Sequence, residues 1–396
     1  MSILEKIKNL AKINSINTIR LRRHLHQNPE LSFCEFETAK YIAAELRSIG
    51  IEQQEGVAGT GLVALITGKN PENRTLALRA DIDALPIFEQ NDISYKSKNE
   101  GVMHACGHDV HTASLLGAAR ILYSLRDEFE GAIKLIFQPA EEKAPGGASI
   151  MIAEGVLENP NVDTIIGQHV APNIPVGKIG FREGMYMAST DEIYIKIIGK
   201  GGHGAAPHQA IDPIVVASHI IIALQQIISR NRNPAFPSVL TFGKFIGDGA
   251  TNIIPNEVYI EGTYRCMDEG WRAEGLEKMQ KMAEGMAEAM GAKCEFWIVK
   301  GYPFLQNDPD LTKKMRAFAT DFVGAENVVN LDLWMGGEDF AYYSQKVPAC
   351  FYRLGTRNEE LGIVSGVHTS SFNIDENALE IGAGLMAYLA IKNLEK

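Results

Sequence analysis

"TLALRAD" (75–81) opens apolar and closes on an arginine and an aspartate. Three other runs share its length and character: "LVALITG" (62–68), "IKLIFQP" (133–139) and "DTIIGQH" (163–169). Short, largely continuous apolar runs read as strands buried on both faces rather than as half-exposed ones. Residues 109–125 and 147–155, lying between these runs, have helical apolar spacing. Strand and helix alternating in this way predict an α/β domain with a mainly parallel sheet covered on both faces. Upstream, 3–27 and 35–49 also read as helices, and Pro29 ends the first of them.

Near residue 186 the pattern changes. "TDEIYIKIIG" (190–199), a helix at 211–229, "SVLTFGKFIG" (238–247), "EVYIEGTYRC" (257–266), a helix at 272–290 and "KCEFWIVKG" (293–301) follow one another as β-α-β-β-α-β. That order predicts a small two-layer, ferredoxin-like α+β domain inserted in the larger one. The expected division is 1–185 with 302–396 as one domain and 186–301 as the other. The stripe Leu276, Met279, Ala283, Met286 and Met290 on the second helix reads as a core or subunit-facing surface.

A chain of 396 residues is long for a single core, and 45% apolar content is ample for two. The net charge of -11 opposes binding to phosphate backbones and anionic lipid, which excludes nucleic acid and membrane surfaces as partners. "MSILEKIKNL" carries no export signal, and "IVVASHIIIALQQII" (214–228), interrupted by His219, Gln225 and Gln226, is shorter than the roughly 20 residues of a membrane span. Five cysteines, an odd number in a long chain, fit reduced thiols and a cytoplasmic location.

In open α/β sheets, ligands collect beyond the carboxyl ends of the strands. Ionisable residues gather at those places: Asp81 and Asp83 in "RADIDALP", Glu141 and Glu142 in "IFQPAEE", and His169 in "IIGQH". "MHACGHDVH" (103–111) adds three histidines, a cysteine and an aspartate where a helix begins, and His368 lies in "SGVHTSSFN". A regular helix would put His104, His108 and His111 on one face, a possible metal triad. Cys106 and His108 would diverge by about 200° on such a helix and could share an ion only at a non-helical entry, which Gly107 makes possible. Hydrogen-bonded side chains at a helix start would give the same letters for any one histidine; the cluster read together with Glu142 and His169 favours a metal. Glu141 and Glu142, as neighbours on an extended segment, are expected to point in opposite directions, one toward a metal and one toward substrate.

Ten ordered stretches resemble the M20 metallopeptidases, in particular their amidohydrolase branch of aminoacylase-like, hippurate-hydrolysing and auxin-conjugate-hydrolysing enzymes. They are "LHQNPELSF" (25–33), "LRADIDALPI" (78–87), "MHACGHDVHTA" (103–113), "IFQPAEE" (136–142), "GQH" (167–169), "GKGGHGAAPH" (199–208), "TNIIPNEV" (251–258), "GTYR" (262–265), "GGEDFAYY" (336–343) and "GVHTSSF" (366–372). The resemblance implies a catalytic domain of the zinc-exopeptidase type, an inserted lid and dimerisation domain, and two divalent metal ions on Cys106, His108, Glu142, His169 and His368. It leaves His104 and His111 as supporting residues. One departure stands out: peptidase branches carry His-x-Asp where this chain has Arg79-Ala80-Asp81, and a cysteine replaces their bridging aspartate. A thiolate favours zinc, while the carboxylates and imidazoles also admit manganese, cobalt or nickel.

Two adjacent cations acidify a bound water and polarise an amide carbonyl. The resemblance then implies Glu141 as general base and Asp81 as the residue that orients or tunes a ligand. It implies His203, with His208 as a second candidate, near the developing oxyanion, and Arg265 assisted by Asn252 on the substrate carboxylate. Glu338 and Asp339 in "GGED" read equally as substrate neighbours or as solvated acids. The expected reaction is hydrolysis of an N-acetyl or N-aroyl amino acid by a homodimer. A dipeptidase or aminopeptidase using the same metals is the alternative, and a metal-binding protein without catalysis is the third reading.

Overall fold

The computed structural model describes residues 1–395 and divides the chain into two compact units. The first comprises Met1–Gly184, Gln306–Asp332 and Asp339–Lys396; the second comprises Met185–Leu305 and Leu333–Glu338. Residues 333–338, expected in the larger domain, therefore cluster with the smaller one: Trp334 pairs with Met187, and its carbonyl accepts the Ala188 N–H.

An eight-stranded mixed sheet forms the centre of the first unit. Its middle runs Ala132–Gln138, Thr75–Asp81, Thr164–Pro175, Ala349–Arg357, each parallel to the next. Gly61–Thr67 and Gln53–Val57 add an antiparallel edge on one side. Every residue of Thr75–Asp81 and Ala132–Gln138 is buried, so both faces of these strands are covered, as their largely apolar character predicts. Register aligns their carboxyl ends: Asp81 lies opposite Gln138, and Arg79 opposite Gly167. The helices Ile3–Gln27, His108–Ser124 and Asn377–Leu394 pack on one another and on the central strands. Buried leucine, isoleucine, alanine and phenylalanine side chains from all of these elements form one continuous core.

Two of those helices are also joined by charge. Arg22 Nε donates to Asp109 Oδ2 at 2.8 Å, and His26 Nδ1 lies at 2.8 Å from the same oxygen, all three side chains having no exposure. Burial acts to raise the Asp109 pKa, but the Arg22 charge and the His26 contact prevail and hold it well below the usual carboxylate range.

In the second unit a four-stranded antiparallel sheet, ordered Ser238–Ile246, Glu257–Cys266, Asp191–Ile198, Lys293–Lys300, packs against the helices Pro213–Gln226 and Glu269–Ala289. Asp191–Ile198 alternates buried and less buried residues, with Ile193, Ile195 and Ile197 in the core. The helices start on the side-chain caps of Asp212 and Asp268. Helical turns continue from Pro213 to Asn231, giving 19 residues of mean hydropathy 1.4. The segment judged too short for a membrane span is therefore long and apolar enough for one by length and composition alone, because Pro213 and the turns beyond Gln226 extend it. Val216, Ala217, Ile220 and Leu224 lie in the unit's core, as on a helix packed against a sheet.

Substituting Asp109 by alanine leaves Arg22 buried without its main counter-charge. Urea unfolding at pH 7 should show a loss of about 3–5 kcal/mol. Because the folded pKa is depressed, the wild-type advantage is present in full above the unfolded carboxylate value of about 4 and should shrink as pH falls below it.

Candidate metal centre

Four segments converge at the carboxyl end of the first unit's sheet. Cys106 lies in the loop before the helix His108–Ser124, His108 is that helix's first residue, and His169 lies on Thr164–Pro175. Glu141 and Glu142 follow Ala132–Gln138, and His368 sits in the loop ahead of Asn377–Leu394. The His368 N–H donates to the Ala105 carbonyl at 2.7 Å, which ties that loop to the cysteine segment.

Cys106 is the common point. Its Sγ lies 3.4 Å from His169 Nε2 and 3.3 Å from His368 Nε2. Two trios with mutually close donor atoms share it: Cys106, His108 and His169; and Cys106, Glu142 and His368. Gly107 makes this possible. At φ 85° it breaks the helical path between Cys106 and His108, and a Cβ there would come within 2.5 Å of Val170 Cγ2.

Beyond the contacts that His169 and His368 make to Cys106 Sγ, two donor atoms of this set are left over. His108 Nε2 is buried and has no hydrogen-bond partner, and the same holds for Glu142 Oε1. Glu142 Oε1 is 3.1 Å from His368 Nε2, yet the geometry makes no hydrogen bond. Burial, together with the Glu142 charge, raises the Cys106 pKa, so a thiolate there needs a cation beside it. Burial, reinforced by the Arg353 charge, lowers the His169 pKa and keeps that ring neutral. Unpaired lone pairs on nitrogen, sulfur and oxygen around one buried volume are the chemistry of a transition-metal site, and the residues fit such ions.

The supporting bonds fix which atoms point inward. His108 Nδ1 contacts the Asp83 carbonyl at 2.9 Å and its carboxylate at 3.2 Å, leaving Nε2 for the centre. His169 Nδ1 donates to the Val170 carbonyl at 2.8 Å. Asp83 further accepts the Glu141 N–H at 3.1 Å, the Glu142 N–H at 3.0 Å and the Ser32 hydroxyl at 2.6 Å. Asp83 thus makes the bonds that orient His108, while Asp81, expected to orient or tune a ligand, acts on the same ring through its charge, which against the effect of burial raises the His108 pKa. Asp81 makes no hydrogen bond to His108, whose Nε2 is 3.9 Å away; it accepts from Arg79 at 2.6 Å and pairs with His111 Nδ1 at 2.5 Å.

The helical triad is not assembled. His111 Nε2 accepts the Val170 N–H at 2.9 Å, so both its nitrogens are occupied. His104 is buried, neither of its ring nitrogens has a hydrogen-bond partner, and burial pushes its pKa down to about 4. The two glutamates also depart from expectation. Ala140 adopts φ 52°, so the chain turns instead of running on as a strand, and both carboxylates approach His108 Nε2, at 3.9 Å for Glu141 and 4.0 Å for Glu142. Asp339 is buried against Arg79 at 2.7 Å and Gln138 at 2.8 Å, so it is no solvated acid; Glu338 is buried as well.

His203, His208, Asn252 and Arg265 all belong to the second unit. The Gly204 N–H donates to the Asn252 carbonyl at 2.8 Å, and His203 pairs with Ile253, so these two segments are neighbours. His203 is exposed; its Nδ1 accepts the Ala205 N–H at 3.1 Å, which puts the proton of the neutral ring on Nε2. His208, also exposed, lies 3.4 Å from Gln209 Nε2. Arg265 is half-buried, makes no side-chain hydrogen bond or ion pair among the described residues, and has its pKa lowered by burial.

The profile of peptidase family M20/M25/M40 matches residues 77–392. The chain is 41% identical over 395 residues to thermostable carboxypeptidase 2 of Saccharolobus solfataricus, covering 99% of each chain. It is 45% identical over 298 residues to the N-acyl-L-amino acid amidohydrolase of Geobacillus stearothermophilus, 75% of this chain and 80% of that one. Among solved structures, a dinuclear metal binding peptidase from the M20 family of Bacillus subtilis superposes with a TM-score of 0.83 at 38% identity, over 97% of this chain and 99% of its own.

Asp83 holds a ligand-type histidine and both glutamate N–H groups at once, so its loss should loosen the donor set as a whole. Asp83→Asn is expected to weaken divalent-metal affinity by about 10–100-fold, measured by competition with a chelator of known affinity.

Proposed function

Because the chain belongs to peptidase family M20/M25/M40, we propose that it is a metal-dependent amidohydrolase that cleaves N-acetyl or N-aroyl amino acids into a carboxylate and a free amino acid. The observation that carries this reading is the pair of donor trios sharing Cys106, with Glu141 beside them. Cys106, His108, Glu142, His169 and His368 would hold two divalent ions, zinc or manganese in the first place and cobalt or nickel as alternatives. Bound there, the ions supply an acidified water and a polarised amide carbonyl.

The remaining work belongs to side chains of the protein. Glu141, 6% exposed, accepts the proton of the attacking water and returns it to the departing amine nitrogen. Asp83 holds its backbone and that of Glu142, so the base keeps its place relative to the ligands. Arg265, which makes no side-chain hydrogen bond or ion pair among the described residues, is the fork for the substrate's free carboxylate, with Asn252 assisting. His203, protonated on Nε2, donates to the developing oxyanion, and His208 is the second candidate for that role. In this reading the first unit is the catalytic domain, and the second serves as lid and as the contact between two copies of the chain. Five unpaired cysteines fit a cytoplasmic location.

Two relatives are named carboxypeptidases, which keeps peptide substrates in view. A carboxypeptidase substrate shares the decisive feature of an N-acyl amino acid: an amide whose amine half ends in a free carboxylate. A dipeptidase or aminopeptidase needs in addition an anionic acceptor for a free α-ammonium. Asp81 and Asp83 are already engaged by Arg79, His111, His108 and Ser32.

The metal-loaded protein should turn over an N-acetyl amino acid at least about 10-fold faster, by kcat/KM, than the dipeptide with a free amino group; the reverse order would favour the dipeptidase reading. Glu141→Gln should lower kcat by about 10²–10⁴-fold with bound metal unchanged.

A further inference from the structure

We propose that Glu35 is a positioning residue for Glu141, holding through the backbone the turn that aims the glutamate pair at the metal centre. This rests on the reading of Glu141 as general base.

Glu35 is fully buried and sits at the start of the helix Phe36–Ile49, where an acidic side chain would ordinarily bond its own helix's free N–H groups. It makes no such bond. Glu30 takes that role, accepting the N–H of Glu37 at 3.2 Å and of Thr38 at 2.8 Å. Glu35 turns instead to a segment 105 residues further along the chain, where its Oε1 accepts the Ala140 N–H at 2.9 Å. The same oxygen accepts the Phe33 N–H at 2.9 Å, and Oε2 accepts the Thr60 hydroxyl at 2.6 Å.

Both backbone partners are strained. Ala140 has φ 52° and Phe33 φ 66°, left-handed values that a side chain disfavours. Such residues cost about 1–3 kcal/mol each and persist only where their surroundings impose them. A single buried oxygen pins both. At Ala140 the left-handed value is what brings Glu141 and Glu142 to the same side of the chain. Together with Asp83, Glu35 completes a run in which the N–H groups of residues 140, 141 and 142 are all held by side-chain carboxylates. Burial raises the Glu35 pKa, a cost that an ordinary helix cap at the surface would avoid. The contact to Ala140 is through the backbone amide, so Glu35 acts on Glu141 by fixing where its Cα sits.

The test compares Glu35→Ala, Glu35→Asp and Glu35→Gln, each in the parent and in the Glu141→Gln background, with metal content and unfolding measured alongside turnover. Glutamine keeps a carbonyl oxygen for the two N–H groups and turns its amide to the Thr60 oxygen, so Glu35→Gln should retain kcat within about threefold. Assayed at saturating metal, Glu35→Ala should lose about 30–100-fold in kcat with KM little changed, since Asp83 still holds the Glu142 N–H. Should that variant fail to fold, Glu35→Asp, one methylene too short to reach Ala140, carries the same expectation at about 10-fold. In the Glu141→Gln background neither change should alter residual turnover by more than about twofold, because the group they position is gone. Full kcat in Glu35→Ala or Glu35→Asp overturns the proposal. So does an equal further loss in the Glu141→Gln background, or a loss that saturating metal restores in full. Parental turnover by Glu141→Gln alone would remove the general-base reading, and this proposal with it.

Discussion

Charge cannot be buried alone, and the architecture of the larger unit follows from that constraint. At the carboxyl ends of one sheet the chain hides Asp81, Asp83, Glu141, His108 and His169 together with the thiol of Cys106, at almost no exposure. Each ionised group taken out of water costs several kcal/mol unless a partner meets it. Most of these groups have partners within the chain. Two atoms without a hydrogen bond, His108 Nε2 and Glu142 Oε1, lie near the shared sulfur of Cys106, where cations would complete the balance.

Asp83 and Arg79 show how the scaffold meets that constraint. Asp83 joins the segment of Ser32, the helix entered at His108 and the turn carrying the two glutamates, so one carboxylate relates three separate pieces of chain. Arg79 donates to Asp81, Asp339 and Gln138, so one buried guanidinium joins two buried acids and an amide. Arg79 thus meets the charge of two buried acids.

The outline of both units was legible because burial leaves a periodic mark. Thr75–Asp81 and Ala132–Gln138 are covered on both faces and read as largely continuous apolar runs, whereas Asp191–Ile198 is covered on one face and alternates. Residues gathered at strand ends could be picked out for the same reason: polar side chains there interrupt otherwise apolar segments. What escaped was set by contacts distant in sequence. Asp83 was visible as an acid at a strand end, but its grip on Glu141 and Glu142 spans 58 and 59 residues. The opposed glutamates expected of an extended segment depend on the φ of Ala140, and alanine carries no mark of a left-handed turn as glycine does. Residues 333–338 join the smaller unit through tertiary pairing that no local pattern announces.

The central claim is that one thiolate, Cys106, is shared by two cations. Titrating the metal-stripped protein with cobalt(II), while following thiolate-to-cobalt absorption, tests it most directly. The account predicts a thiolate band that saturates at two ions per chain and is abolished by Cys106→Ala. Absence of the band, or a stoichiometry unchanged when Cys106 is replaced, would contradict it.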